Sequence, residues 1–133
     1  MRVLHMLVRT VLAVAVALGS FACSASDRSD PTWVIGYWHM TSDEDNESIG
    51  GVIEFRANGQ YIGYDKNCNL YPTAEYHGHR GNIYVTSEIP GKGPVSVIFH
   101  PNSNRSTLTF TSARTHNNAV YERLAGNKCR MQG

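Results

Sequence analysis

The fold is decided by residues 52–64, which read Val52-Ile53-Glu54-Phe55-Arg56-Ala57-Asn58-Gly59-Gln60-Tyr61-Ile62-Gly63-Tyr64. Asn58-Gly59 is typical of a two-residue type I′ turn, because both central residues of that turn need a positive φ. A hairpin closed by this turn pairs Ala57 with Gln60, Phe55 with Ile62, and Ile53 with Tyr64 on one face. Glu54 and Tyr61 then lie on the opposite face, which we expect to meet solvent.

A second hairpin is predicted around Arg80-Gly81. Its register places Tyr76 opposite Val85 and Gly78 opposite Ile83, with both pairs facing inward. His77 then lies opposite Tyr84 on the outer face. The two hairpins together indicate consecutive antiparallel strands.

The same period of two residues continues through the rest of the chain. The segments with this alternation are Trp33 to Met40, Val95 to Phe99, Leu108 to Phe110, and Ala119 to Leu124. The polar turn Pro101 to Arg105 separates the second of these from the third. About eight short strands with short connections result, and no helical period of useful length appears. We therefore expect an all-β domain, an up-and-down barrel whose closure removes exposed edges, with a two-sheet β-sandwich as the alternative.

Both faces of the predicted first strand are apolar. Val34, Gly36, Trp38 and Met40 share one face, whereas the other carries Trp33, Ile35 and Tyr37. Gly36 allows the strand to bend near the base of the barrel. Either the C-terminal tail covers the second face, or that face contacts a partner.

Gly36-Tyr37-Trp38 has the Gly-x-Trp pattern of the opening strand of short bacterial lipocalin-like domains of the calycin type. Three further segments, residues 52–61, 76–85 and 121–124, also resemble these domains. The resemblance covers residues 33–124. It implies that Trp38 closes the floor of the barrel and that Arg123 on the last strand packs across it. The acidic segment after the first strand and the cysteine-bearing tail are not part of the family's pattern.

The N-terminus has the features of a secretory signal peptide. Arg2 and Arg9 precede an apolar run over residues 11–18, which is too short to span a bilayer, and small residues follow. Cleavage after Ala25 leaves residues 26–133 as a single exported domain. In the alternative, Cys23 is lipidated and anchors the domain to the envelope. Either way we expect a periplasmic or envelope-anchored bacterial protein.

Two cysteines remain once Cys23 is removed or acylated. In an oxidising compartment Cys68 and Cys129 most economically form one disulfide, which would hold the C-terminal tail against the loop after the third strand. Two free thiols are the alternative. No CxxC or HExxH spacing indicates a metal site.

Composition and motifs argue against several function classes. The chain has 12 basic and 11 acidic residues and no basic block, so nucleic-acid binding is not expected. No Gly-x-Ser-x-Gly segment or Cys/His pair indicates an enzyme, and no cofactor is implied. We expect His77 and His79 to be solvated, with a metal-ligand pair as the alternative, and Gly91-Lys92-Gly93 to be a turn. Residues 43–47 lack EF-hand spacing and are expected to form a solvated acidic loop, with Ca²⁺ or a basic partner as the alternatives.

Aromatic residues and three loops are the candidates for a binding surface. Seven tyrosines supply flat amphipathic surface, with Tyr64 and Tyr76 predicted to point inward and Tyr61 and Tyr84 outward. The loops span residues 41–50, 71–73 and 89–94. The candidate binding residues are Asp43, Glu44, Asp45, Tyr61, Tyr64, Tyr71, Tyr76 and Lys92.

Two functions follow as hypotheses. In the first, the domain is a non-catalytic envelope protein whose loops bind and inhibit a protein partner, as protease inhibitors and toxin-immunity proteins do. In the second, the barrel carries a small hydrophobic ligand in its mouth. An apolar cavity of at least about 300 Å³ would favour the carrier. Membrane contact is expected only through a lipid on Cys23.

Overall fold

The computed structural model describes residues 28–89, 91 and 93–129. The predicted signal peptide, the lipidation candidate Cys23 and the candidate binding residue Lys92 lie outside these residues. Within the described part of the chain, no helix has the length and apolar character needed to cross a bilayer.

The described residues form a closed eight-stranded antiparallel barrel, as the alternation of the sequence predicts. Each strand pairs with the next in sequence, and the last pairs with the first, so the sandwich alternative is not adopted. The strands are β1 (Gly36–Asp43), β2 (Val52–Phe55), β3 (Gln60–Tyr64), β4 (Ala74–His79), β5 (Asn82–Ile89), β6 (Gly93–Pro101), β7 (Thr107–Thr111) and β8 (Asn118–Leu124).

The up-and-down topology gives the barrel two different ends. The turns after β2, β4 and β6 lie at one end, together with the 3-10 helix Thr32–Val34 that precedes β1. Val34 is fully buried there, and Gly78 leaves the space that the backbone carbonyl of Ser29 occupies. We call this the closed end. The connections after β1, β3, β5 and β7 lie at the other end, the open end.

Aromatic side chains fill the barrel from the closed end upward. Phe55 makes edge contacts with Tyr61, Tyr76 and Phe99, at centroid separations of 5.4, 5.0 and 5.8 Å. Trp38 lies beneath them, completely buried. Apolar area removed from water in this way is the main stabilising term of a domain this size.

The register of β2 with β3 differs by one residue from the sequence prediction. Phe55 pairs with Tyr61 and Ile53 with Gly63. The turn is not type I′, because Gly59 has a positive φ of 86° and Asn58 does not. The Gly59 N–H donates to the Arg56 carbonyl, and the Arg56 N–H donates to the Gln60 carbonyl. This is a three-residue loop with glycine in the left-handed position.

The shift of one residue reverses the faces of the predicted side chains. Tyr61 points inward against Phe55, whereas Tyr64, paired with Val52, lies on the outer side, so the predicted orientations of both tyrosines are wrong. The prediction that Glu54 faces solvent is also wrong, because this residue is only 6% exposed.

The β4–β5 hairpin has the predicted register. Tyr76 pairs with Val85 and His77 with Tyr84. Here both turn residues, Arg80 and Gly81, have a positive φ, of 49° and 82°. A two-residue turn therefore forms, as the type I′ geometry requires.

The first strand begins later and ends later than predicted. Trp33 lies in the 3-10 helix, and the strand runs on to Asp43, which was assigned to the acidic loop. The strand starts later because the Val34 N–H donates to the Pro31 carbonyl, which forms a 3-10 turn before Gly36. Gly36, with φ 130°, follows that helix and begins the strand.

The predicted disulfide between Cys68 and Cys129 is confirmed. It links the β3–β4 connection to the C-terminal tail. Val52 and Ile62 are buried although neither belongs to the core inside the barrel. The disulfide therefore holds the tail beside the β3–β4 connection, whereas Trp33, on the apolar outer face predicted for the first strand, lies under Arg105, whose Cζ is 4.8 Å from the ring centroid.

Candidate functional site

The open end brings together the three loops that the sequence singled out. The connections after β1, β3 and β5 all reach it, because alternate connections of an up-and-down barrel meet at the same end. A fourth connection, residues 112–117 between β7 and β8, joins them and was not anticipated. This end is the candidate functional site.

Asp43 organises the loop that follows β1. Its carboxylate accepts hydrogen bonds from the backbone N–H groups of Asp45, Glu47 and Ser48, at 2.9 to 3.0 Å. The register of β1 with β8 shifts between Met40 and Ser42, which redirects Asp43 toward the barrel mouth. Hydrogen bonds to Asp43 therefore order this acidic loop, which was predicted only to be solvated.

Two further carboxylates connect this loop to the 112–117 loop. Asp45 accepts hydrogen bonds from Thr115 Oγ1 at 2.8 Å and from Asn117 Nδ2 at 2.7 Å. Glu44 accepts one from the Asn118 N–H at 3.1 Å. The predicted binding residues Asp43, Glu44 and Asp45 therefore use their carboxylates to position two loops, a role that sequence spacing alone did not indicate.

Lowering the pH tests the bridge made by Asp45. Hydrogen bonds from Asn117 and Thr115 hold its pKa below the ordinary 3.8. Because the folded-state pKa is depressed, the stabilisation is complete above about 3.8 and is lost as the pH falls through the folded value. We expect hydrogen-exchange protection factors in residues 112–117 to be constant from pH 7 to 5 and to fall only below 3.8.

The variant Asp45→Asn removes the charge and should lower the protection of residues 112–117 already at pH 7, with no further change on acidification. Asp30→Asn is the matched control. Asp30 is an exposed carboxylate that accepts its hydrogen bond from Thr32 at the closed end. Equal protection of the 112–117 loop in wild type and Asp45→Asn would contradict this role.

Tyrosines line the inside of the open end. Tyr61 and Tyr121 are inward-facing, and burial raises the pKa of both phenols. The Tyr71 N–H donates to the Gly63 carbonyl, and its ring lies against Gly63, where a Cβ would be 3.2 Å from Cδ2. Of the predicted binding tyrosines, Tyr61, Tyr64 and Tyr71 all line the mouth. Tyr76 is buried deeper, with its hydroxyl donating to the Arg56 carbonyl at the closed end.

The rim of the open end is apolar. The large hydrophobic residues that remain exposed in the described chain are Ile49, Leu70, Tyr71 and Val95. Ile49 belongs to the β1–β2 connection, Leu70 and Tyr71 to the β3–β4 connection, and Val95 to the start of β6. All four therefore lie at the same end of the barrel.

Two cavities open between these loops. One, of about 510 Å³, is walled by Tyr61, Tyr71, Pro72, Val85 and Val97, with Ser87 and Glu88 at its edge. It forms where β3 and β4 separate, since those strands share only the pairs Gln60 with Glu75 and Tyr61 with Ala74. We call it the apolar cavity.

The second cavity, of about 240 Å³, lies between the acidic loop and the 112–117 loop. Asp43, Asp45, Glu47 and Asp65 line it together with Arg114. Tyr61 and Tyr71 border both cavities. We call this one the acidic cavity.

The remaining polar candidates lie elsewhere. His77 stacks on Tyr84 on the outer face at a centroid distance of 5.4 Å, and His79 contacts the edge of the same ring. Among the described residues, no three histidine, cysteine or acidic side chains are grouped so that they could hold a metal ion.

The closed end has the arrangement that the resemblance implies. Arg123 lies over Trp38, with Cζ 4.3 Å from the ring centroid, and the two residues pair across β8 and β1. The fold and the site together define the class as a small closed β-barrel with one open, loop-bearing end. No protein-family model, curated protein or solved structure matches the chain.

Proposed function

We propose that this chain is a lipocalin-like, exported, non-catalytic protein of the bacterial envelope that binds and inhibits a protein partner with its open end. The observation that carries the proposal is the exposed apolar rim of Ile49, Leu70, Tyr71 and Val95. Exposed apolar side chains gathered on one side of a small domain are typical of an interaction site. Among the described residues, none of these exposed large hydrophobic side chains lies at the closed end.

The rigidity of the loops supports inhibition as the consequence of binding. Asp43 and Asp45 brace the connections after β1 and β7, and Asp65 accepts hydrogen bonds from the N–H groups of Asn67 and Asn69. The disulfide at Cys68 holds the same connection. Loops that are ordered before binding lose little entropy when they enter a partner's cleft, which favours tight, stoichiometric complexes.

The apolar cavity favours a second candidate function, the transport of a small hydrophobic ligand. Its volume of about 510 Å³ exceeds the roughly 300 Å³ at which small-molecule sites begin. Its walls are apolar and aromatic, with tyrosine hydroxyls and Glu88 available to orient a polar end group. In this alternative the exposed rim is the entrance to the ligand site.

The test is affinity capture from an envelope extract with the mature domain as bait, followed by a binding and activity assay with the purified partner. Leu70→Asp and Ile49→Asp place a charge on the rim, and we expect each to weaken the complex by at least about tenfold. Ser103→Asp introduces the same charge in an exposed turn at the closed end and should bind like wild type.

The inhibitor function is supported if a single partner is captured and loses its activity at a one-to-one ratio with the domain. The same partner should bind the rim variants poorly. Calorimetric titration with laurate examines the carrier. If laurate binds stoichiometrically and no protein partner is captured, the carrier function is supported and the inhibitor function is contradicted. A partner that binds wild type and both rim variants equally would show that the open end is not the interface.

A further inference from the structure

The acidic cavity has a strong negative charge. Four carboxylates, of Asp43, Asp45, Glu47 and Asp65, and one guanidinium, of Arg114, line it, so its formal charge is 1 − 4 = −3. Internal hydrogen bonds hold the pKa values of Asp45 and Asp65 below their ordinary range, so both stay ionised at neutral pH. Arg114 offsets only part of this charge and lies 3.6 Å from Glu47.

A largely buried phenol forms the inner wall of this cavity. Tyr121 is 8% exposed, its ring packs against Phe99 at 5.5 Å, and its hydroxyl makes no hydrogen bond to any described residue. Tyr61 also lines the cavity, and its hydroxyl likewise has no partner among the described residues. Both hydroxyl oxygens are therefore available to accept a hydrogen bond from a group bound in the cavity.

These phenols and carboxylates surround one space. Tyr61, Tyr71 and Tyr121 line the same cavity as Asp43, whose nearby carboxylate contributes to raising the pKa of the Tyr121 phenol. Burial raises the pKa of the Tyr61 and Tyr121 phenols and keeps them neutral, so their oxygens accept hydrogen bonds without adding charge. Aromatic faces and hydroxyl oxygens beside carboxylates are the environment that an ammonium or guanidinium group prefers.

We propose that the acidic cavity receives a lysine or arginine side chain from the protein partner. The cavity volume of about 240 Å³ corresponds to about eight water molecules and lies below the usual range for whole small-molecule ligands. One cationic side chain with an apolar stem fits it. This inference rests on the proposed function, because it names the chemistry by which the partner is recognised.

The apolar cavity adds a requirement on the neighbouring part of the partner. Tyr61 and Tyr71 separate the two cavities, so a segment that inserts a basic side chain on one side of Tyr71 meets apolar walls on the other. The partner segment is therefore expected to present a basic residue next to an apolar one.

Titration with N-acetyl-arginine amide and N-acetyl-lysine amide, followed by ¹H–¹⁵N NMR, tests the site without any partner. We expect saturable shifts at Asn117, Ala119 and Tyr121, with affinity that falls as salt is added. N-acetyl-norleucine amide, which lacks the charge, should bind about tenfold more weakly. Equal binding of the neutral and cationic amides, or shifts confined to other regions, would overturn the inference.

The variant Tyr121→Phe removes one hydroxyl that makes no hydrogen bond to the described part of the chain, so the fold should be unaffected while binding of the cationic amides falls about tenfold. Tyr84→Phe, on the outer face, is the matched control and should bind like wild type. Unchanged amide binding in Tyr121→Phe would also overturn the site.

The two proposals can fail separately. If the arginine amide binds but no protein partner is captured, the proposed function fails while the cation site stands. If a partner binds through the rim, but neither Tyr121→Phe nor excess arginine amide weakens that complex, the cation site fails and the proposed function stands.

Discussion

Reduction of the Cys68–Cys129 disulfide is expected to lower the free energy of unfolding by about 4 kcal/mol. The bond joins residues 61 positions apart, and closing a loop of that length restricts the unfolded chain by about this amount on the chain-entropy argument. The loss is large beside the roughly 5–15 kcal/mol that stabilises an ordinary domain. Urea unfolding with and without reductant measures it.

The folded state adds to the effect. Val52 and Ile62 are buried on the outer side of β2 and β3, outside the main core, and the disulfide holds the tail at the connection that follows β3. We therefore expect hydrogen exchange in β2 to increase on reduction more than in β6, which lies away from the tail.

The double variant Cys68→Ser/Cys129→Ser separates the bond from side effects of the reductant. It should unfold at the urea concentration found for reduced wild type, and added reductant should not shift it further. An unfolding midpoint that is the same for oxidised and reduced wild type would contradict the assigned stabilisation.

The predictability of each hairpin depended on its turn and on what covers its outer face. At Arg80-Gly81 both residues adopt a positive φ, so the two-residue turn and the register derived from it are correct. At Asn58-Gly59 only the glycine does, and the loop takes one extra residue. Dipeptide identity does not distinguish these two loops.

The alternation of apolar and polar residues could not correct the predicted register of β2 with β3, because β2 is buried on both faces. Val52, Ile53, Glu54 and Phe55 are all buried. Strands covered on both sides lose the polar face that normally identifies the register. The orientations of Tyr61 and Tyr64 were wrong for this reason.

The open end was predictable in outline only. Topology brings the loops after β1, β3 and β5 together, and Tyr61 and Tyr71 were named from composition. The partners of Asp45, which are Thr115 and Asn117, lie 70 and 72 residues away in the sequence. Polar residues in a short turn carry no local sign of such a contact, so the fourth loop and the acidic cavity became apparent only in three dimensions.

Replacement of Trp38 by alanine is expected to destabilise the domain by about 3–5 kcal/mol. Trp38 is completely buried at the closed end, and its indole N–H donates to the Val34 carbonyl at 2.9 Å. Arg123 stacks on its outer side and donates to the carbonyls of Ile35 and Trp33. The alanine variant therefore loses apolar contacts, leaves a buried carbonyl without its donor and removes the surface on which Arg123 rests.

Trp33→Ala is the matched control, since Trp33 is a partly exposed tryptophan in the preceding 3-10 helix and its truncation should cost less. A double-mutant cycle with Arg123→Met isolates the stacking contribution, for which we expect about 0.5–1 kcal/mol of coupling. Urea unfolding monitored by near-ultraviolet circular dichroism provides all of these values. Equal destabilisation by Trp33→Ala and Trp38→Ala would mean that the closed end is not organised around Trp38, because only Trp38 combines complete burial, a hydrogen bond to Val34 and contact with Arg123.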